Sequence, residues 1–246
     1  MKKILYSVAL AACCMGTMTS CSDFLDASNK SNVTAKQSFA TKEGLNNLVN
    51  DAYQHLQNVY AAPLFTSCFS AGTDMYADAR NKMNEALNTY ETLTPENTDI
   101  KNLYTYLYSG IRAANSVSYY AQTAQVDEKT KGQLVGEARV LAAYEYYLLV
   151  NNFGGVPIMK DFLTTADTGY PKSSAADVYA YIISELEDVI SKNVLQASTA
   201  TKGGGRISQE TAKAILAKTY LSAAWDLNKQ EYFSKAAALA DEVIAG

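Results

Sequence analysis

Apolar residues recur along this chain at spacings of three and four from about Thr41 onward, and hardly anywhere at spacings of two. A helix turns once in about 3.6 residues, so this period predicts helices with one buried face. Residues 41–60 carry it in Leu45, Leu48, Val49, Ala52, Tyr53, Leu56 and Tyr60. Residues 61–93 keep no sustained period and contain Pro63, Gly72 and several Asn and Asp, which predicts a long loop with short helical pieces. Thr94-Pro95-Glu96-Asn97 reads as a helix start, with a capping hydroxyl, a proline tolerated in the first turn and an acid at the positive end of the dipole. Ile100, Leu103, Tyr104, Leu107, Ile111, Ala114 and Ser118 then mark one face to about Gln122.

A further helix is predicted from about Asp127 to Asn152, with Leu134, Ala138, Leu141, Leu148 and Leu149 inward; Gly154-Gly155 stops it and Pro157 keeps it from resuming. The short link between these two helices predicts an antiparallel pair. Ser174-Ala175-Ala176-Asp177 resembles a capping box and opens a helix to about Lys192, with Val178, Tyr181, Ile182, Glu185, Leu186 and Val189 on its face. Residues 193–206 form a loop, Ser208 caps a helix with Ala214, Leu216, Ala217, Tyr220 and Leu221 inward, and residues 231–245 form the last helix. Small residues (Ala142, Ala143, Ala214, Ala217, Ala236, Ala237, Ala240) mark close helix crossings. The expected fold is all-α, an α-solenoid of tetratricopeptide-like antiparallel helix pairs with long loops, over residues 41–246.

The N-terminal pattern is different. Lys2 and Lys3 precede an apolar run from Ile4 to about Met18, and Thr19-Ser20 lead into Cys21. That order predicts a lipoprotein signal peptide over residues 1–20, since the run falls short of the ~20 apolar residues that span a bilayer. Residues 21–40 would be a tether, with acyl chains on Cys21 holding the protein to a membrane surface. Cys13 is the alternative: Leu10-Ala11-Ala12-Cys13 is closer to the usual small-residue cleavage pattern, but it leaves a short apolar segment, Ile4 to Ala12, and puts Cys14-Met15 at the start of the mature chain.

The formal net charge is −4, and losing Lys2 and Lys3 with the signal makes the remainder more acidic. An acidic chain is a poor match for nucleic acid, which is bound through clustered Lys and Arg. Cys68 would be the one cysteine left beyond the signal and the lipid site, so no internal disulfide is expected. His55 is the only histidine and lies in the helical run 41–60, which leaves no His-based triad and no His-rich zinc site. Gly203-Gly204-Gly205-Arg206-Ile207-Ser208 lacks the Lys-Ser/Thr of a phosphate loop and reads as a flexible turn before a capped helix. Carboxylates such as Asp74 and Asp78, at i, i+4, could share a helix face, but a glycosidase needs carboxylates from opposite sides of a cleft. With these chemistries missing, the chain reads as a binder, not an enzyme.

Several segments resemble one family. Cys21-Ser22-Asp23-Phe24-Leu25-Asp26 is similar to the mature start of the SusD/RagB-like outer-membrane lipoproteins of Bacteroidetes, and Ala113-Ala114-Asn115-Ser116-Val117 resembles their first long helix. Glu137-Ala138-Arg139-Val140-Leu141-Ala142-Ala143-Tyr144, running on to Phe153-Gly154-Gly155-Val156-Pro157-Ile158, resembles their most recognisable segment. Pro171-Lys172-Ser173-Ser174 and Gly205-Arg206-Ile207-Ser208 match the next two. Ala142 stands where the family usually carries Arg, and Lys172 where Arg is common; Ala packs well, so no functional loss is expected. Members of the family are roughly twice as long, so a truncated chain is expected.

The resemblance implies a surface-exposed lipoprotein of the cell outer membrane that captures glycan, an oligosaccharide of the starch kind or similar. A SusC-like TonB-dependent transporter would be its partner. A peptide-capturing RagB-like role and a scaffold without a small ligand are the alternatives. Glycan binding in such proteins rests on aromatic faces and polar side chains. The matching stretch is loop 65–90, with Phe65, Phe69, Asp74, Tyr76 and Tyr90; Asp74 and Tyr76 are the ligand-binding candidates, an acceptor two residues from an aromatic. Trp225 is expected to be a packing residue.

Overall fold

Helices account for all the regular structure among the described residues of the computed structural model, which are 34–61, 63–76, 85–165, 169–201 and 205–245. The signal segment, Cys21 and its alternative Cys13 lie outside them. Contacts divide the chain into two units, Met1–Ala35 and Lys36–Gly246, and everything below concerns the second. Its main elements are α1 (Lys42–Tyr60), α2 (Leu64–Phe69), α3 (Glu85–Thr89), α4 (Thr98–Ala121), α5 (Glu128–Phe153), α6 (Ala175–Lys192), α7 (Gln209–Asp226) and α8 (Glu231–Ala245), with a single turn at Ser198–Thr201 before α7. None is long and apolar enough to cross a membrane.

Short polar side chains fix where the long helices begin. Thr41, Asp127 and Ser208 each accept a backbone N–H three residues on, and Ser174 with Asp177 completes the expected capping box. Such caps contribute about 1 kcal/mol each. The start of α4 lies later than the sequence predicts. Asn97, not Thr94, is the cap, because its amide oxygen accepts from both Asp99 N and Ile100 N at 3.1 Å. Thr94 instead closes a turn through its carbonyl, which accepts from Asn97 N.

Successive helices pack on one another. α4 and α5 form the expected hairpin, α1 lies against both, and α5, α6, α7 and α8 follow in sequence. Leu45, Val49, Leu107, Ile111, Leu141, Leu149, Ile182 and Leu186 are almost wholly buried between them. This is the predicted tetratricopeptide-like solenoid. Leu221 departs from expectation: it is 47% exposed, because the face of α7 that meets α6 and α8 is Leu216, Tyr220 and Ala223, and Leu221 points away. Ala237 is exposed on α8 for the same reason. Ala142 is buried beside a polar pocket of about 210 Å³ that it shares with Asn115, Lys160 and Tyr181.

After α5 the chain reverses. Gly154 adopts φ 68°, and a Cβ on Gly155 would stand 2.2 Å from the Ser173 carbonyl oxygen, so the pair admits only glycine. The strap that follows is fastened by its main chain. Tyr108 Oη donates to Pro157 O at 2.7 Å, Asn115 Nδ2 to Met159 O at 2.9 Å, and Met159 N to Tyr146 Oη at 2.7 Å.

Glu137, in the middle of α5, is fully buried. It accepts from Arg206 Nε at 2.6 Å, from Tyr53 Oη at 3.1 Å and from Gln133 Nε2 at 3.1 Å. Tyr53 Oη in turn accepts from Ile207 N at 2.8 Å, and Arg206 Nη1 donates to Asn50. One carboxylate thus joins α1, α5 and the entry to α7. On the other side of α5, Arg139 donates to Glu185 Oε2 at 2.7 Å and Asp188 Oδ2 at 2.5 Å on α6.

Glu145 is the opposite case. It is fully buried, neither carboxyl oxygen has a hydrogen-bond partner, and it occupies the space that a Cβ on Gly110 of α4 would need. Burial pushes its carboxyl well above the ordinary 4.5, so the folded chain holds it neutral. With the folded value raised, its contribution is complete below about pH 4.5 and is lost as pH rises toward the folded value, because the unfolded Glu ionises first.

Two stability outcomes follow. Glu145→Met should gain on the wild type at pH 8 in urea denaturation, with the gain shrinking toward pH 5; an equal difference at both pH values contradicts a neutral buried carboxyl. Arg206→Ala leaves the Glu137 charge without its cation and should cost about 3 kcal/mol, read as a lowered urea midpoint at pH 7.

Candidate functional site

Where α1 ends, the chain turns through Ala61 and Pro63 into the short helix α2. This places Phe65 and Phe69, one helical turn apart, against Tyr60. The ring centroids are 5.4 Å apart for Phe65–Phe69, 5.5 Å for Tyr60–Phe65 and 6.4 Å for Tyr60–Phe69. Tyr60 is 42% exposed and Phe65 37%. The Tyr60 hydroxyl shares a hydrogen bond with that of Tyr144 on α5. Tyr144 in turn stacks on Tyr147, with centroids 6.0 Å apart and planes within 11°. Tyr147 closes the row toward α7, its hydroxyl 3.3 Å from Ser222 Oγ and its ring 6.0 Å from Lys218 Nζ.

The row has a register behind it. Tyr53 meets Glu137 and Tyr60 meets Tyr144, each pair 84 residues apart in sequence. Seven residues up α1 match seven up α5, so the two helices run parallel over about 10 Å. Burial, and then the bond to Tyr144, push the Tyr60 hydroxyl above its ordinary range, so it stays protonated. The result is a ladder of five aromatic rings, bordered by hydroxyls and an ammonium. Tyr60 and Phe65 are its exposed rungs and Phe69, Tyr144 and Tyr147 are half-buried, so ring surface for C–H groups is offered mainly at the Tyr60–Phe65 end, with hydroxyls beside it. Below Tyr144, a largely apolar pocket of about 280 Å³ opens between α1, α5 and α7. Among the described residues, no group of three or more His, Cys, Asp or Glu could hold a metal ion.

The loop candidates divide. Phe65 and Phe69 join the ladder. Asp74 is exposed and Tyr76 half-buried, and neither is a rung of it. Gly72, at φ 73°, is covered by the Tyr90 ring, whose hydroxyl lies 2.1 Å from where a Cβ would stand. Residues 77–84, with Asp78, lie outside the described residues. Trp225, expected to pack, is 73% exposed and edges against Phe233 at 5.2 Å. His55 lies on α1 with Nε2 3.9 Å from Asp51.

The family model for SusD-like proteins, described as starch-binding and associating with the outer membrane, matches residues 23–221. The chain belongs to the SusD-like family. A SusD-like protein of Bacteroides ovatus is 28% identical over 134 residues, covering 53% of this chain and 24% of its own length. A SusD-like protein of Formosa agariphila is 28% identical over 190 residues, or 75% of this chain and 36% of that protein. Among solved structures, a SusD homolog from Bacteroides thetaiotaomicron matches with TM-score 0.72 at 20% identity, over 86% of this chain and 42% of that one. Surface glycan-binding protein A from Bacteroides uniformis matches with TM-score 0.70 at 26% identity, over 83% and 46%. This SusD-like chain spans less than half the length of the relatives it matches.

Tyr60, Tyr144 and Tyr147 are the rungs that sequence reasoning missed; Tyr60 is exposed and the other two are half-buried. The signal for two of them was present: Tyr144 and Tyr147 sit at i, i+3, a spacing that stacks side chains on one helix face. Cys68 lies in α2, half-buried and packed against the core. Burial, and then the charge of Asp99, push its thiol up to about 11. At pH 8 its thiolate population should fall about a hundredfold below that of an ordinary cysteine. Peptide mapping after brief iodoacetamide treatment should therefore find Cys68 unmodified in the folded SusD-like chain and alkylated in urea.

Proposed function

We propose that this chain captures glycan at the cell surface and delivers it to a partner SusC-like TonB-dependent transporter, held to the outer membrane by lipid on Cys21. The observation that carries the reading is the five-ring ladder Phe65, Phe69, Tyr60, Tyr144 and Tyr147. Pyranose rings present axial C–H groups that meet the negative faces of aromatic rings, and their equatorial hydroxyls reach outward to polar neighbours. A row of rings with tyrosine hydroxyls within it and the Lys218 ammonium over its Tyr147 end suits successive sugars of a chain better than a single small molecule. The starch-binding description of the family and the glycan-binding relative from Bacteroides uniformis support the same class of ligand. Asp74 and Tyr76 follow α2 in sequence, and we assign them an accessory role, with the Asp74 carboxylate accepting from sugar hydroxyls. The chemistry is binding and release and needs no cofactor.

Native gel electrophoresis through soluble starch, laminarin or another glucan tests this reading, with retardation as the measure of affinity. Phe65→Ala and Tyr144→Ala should each weaken retention of the bound glucan about tenfold, the effect of one lost stacking contact of ~1.4 kcal/mol. Asp74→Ala and Tyr76→Ala should weaken it by a smaller factor. Equal retention of wild type and both ladder variants would remove the ladder from the binding surface.

A further inference from the structure

A second polar and aromatic site lies on the other side of α1. Each residue of a helix advances about 100°, so Asp51 and His55 point away from the side that carries Tyr53 and Tyr60. They face α4 and the strap after α5, and between these elements are two adjoining pockets. The first, about 360 Å³, is lined by Phe39, Asp51, His55, Ser109, Tyr120 and Phe162, among others. The second, about 300 Å³, includes Asn115, Asp161, Thr164 and Thr165. Arg112 lines both. Its guanidinium lies 5.7 Å over the Phe162 ring of the first lobe, so Arg112 stands where the two lobes meet. Each lobe stands at the small end of the ~300–1,000 Å³ typical of ligand pockets.

The lining selects a ligand class. Phe39 and Tyr120 pack at 4.8 Å, and Tyr120 and Phe162 at 5.9 Å, giving the first lobe an aromatic wall. Across from it are acceptors on Asp51, donors on Arg112, and a hydroxyl on Ser109. The His55 ring also lines this lobe, with its Nδ1 buried and without a hydrogen-bond partner behind the lining. Arg112 enters none of the ion pairs found among the described residues. An anionic ligand would meet Asp51 in one lobe and Asp161 in the other; a cationic one would meet Arg112 in both. A neutral molecule with many hydroxyls and an apolar face matches donors, acceptors and rings together, without burying an unpaired charge. The walls are also fixed in advance: Tyr108, Asn115 and Tyr146 fasten the strap that carries Asp161 and Phe162.

We propose that these paired pockets form a second saccharide site, separate from the ladder, that holds a neutral disaccharide with one ring on each side of Arg112. The site is assigned from its own lining; only the choice of glucose disaccharides as probes rests on the glycan reading above. NMR titration of the isotope-labelled chain with maltose and with laminaribiose, beside glucuronic acid and glucosamine, tests it. At least one disaccharide should shift the resonances of His55, Arg112 and Phe162 and bind tenfold or more tightly than either charged sugar. Arg112→Ala, an exposed position, should weaken that binding at least tenfold and leave glucan retention in gels unchanged. Tyr144→Ala should do the reverse. The proposal is overturned if neither disaccharide shifts these residues in large excess, if a charged sugar binds as well, or if Tyr144→Ala abolishes the same shifts. Loss of glucan retention by the wild type with the shifts intact would sink the ladder reading alone.

Discussion

A carboxylate with no access to water has to be matched where it lies, and Glu137 sets that demand at the centre of the solenoid. Its partners come from three places far apart in sequence: Tyr53 on α1, Gln133 on the same helix, and Arg206 just before α7. Removing a charge from water costs several kcal/mol, so the geometry around it is strongly specified. Tyr53 completes the arrangement by accepting from Ile207 N, which fixes the chain as it enters α7. The same contact sets how far α1 slides along α5. Two turns further on, that setting brings the Tyr60 and Tyr144 hydroxyls together. The ladder is thus a consequence of the buried anchor.

Glu137 and Glu145 are two turns apart on one helix and equally buried, yet they are resolved differently. One is surrounded by donors and ties elements together. The other faces the bare backbone of Gly110 and is kept neutral by its surroundings. Burial alone does not decide what a carboxylate does; the groups that neighbouring helices bring to it decide.

Much of the fold could be read from the chain because it is encoded locally. The three-and-four spacing gave α1, α4, α5, α6 and α7, and the Ser174–Asp177 box and Ser208 marked two starts to the residue. Thr94 misled because two cap-forming residues lie three apart, and only the folded geometry shows that Asn97 accepts two N–H groups. Leu221 and Trp225 misled because apolar character does not say which face of a helix finds a neighbour. The site was legible only in part. Phe65 and Phe69 stood out as aromatics in an aperiodic stretch, but their partners Tyr144 and Tyr147 lie on a distant helix, and only the packing of α1 on α5 unites them. The pocket around Arg112 draws on residues from 39 to 165 and has no local signature at all.

The strap beyond α5 is held through Pro157 O, Met159 O and Met159 N, which are main-chain atoms. Fastening of this kind is indifferent to the side chains that the strap displays. Asp161, Thr164 and Thr165 are therefore free to change identity while the backbone stays where Tyr108, Asn115 and Tyr146 put it. The fold separates the part that holds from the part that discriminates, so a lineage could retune one pocket residue at a time on an unaltered frame.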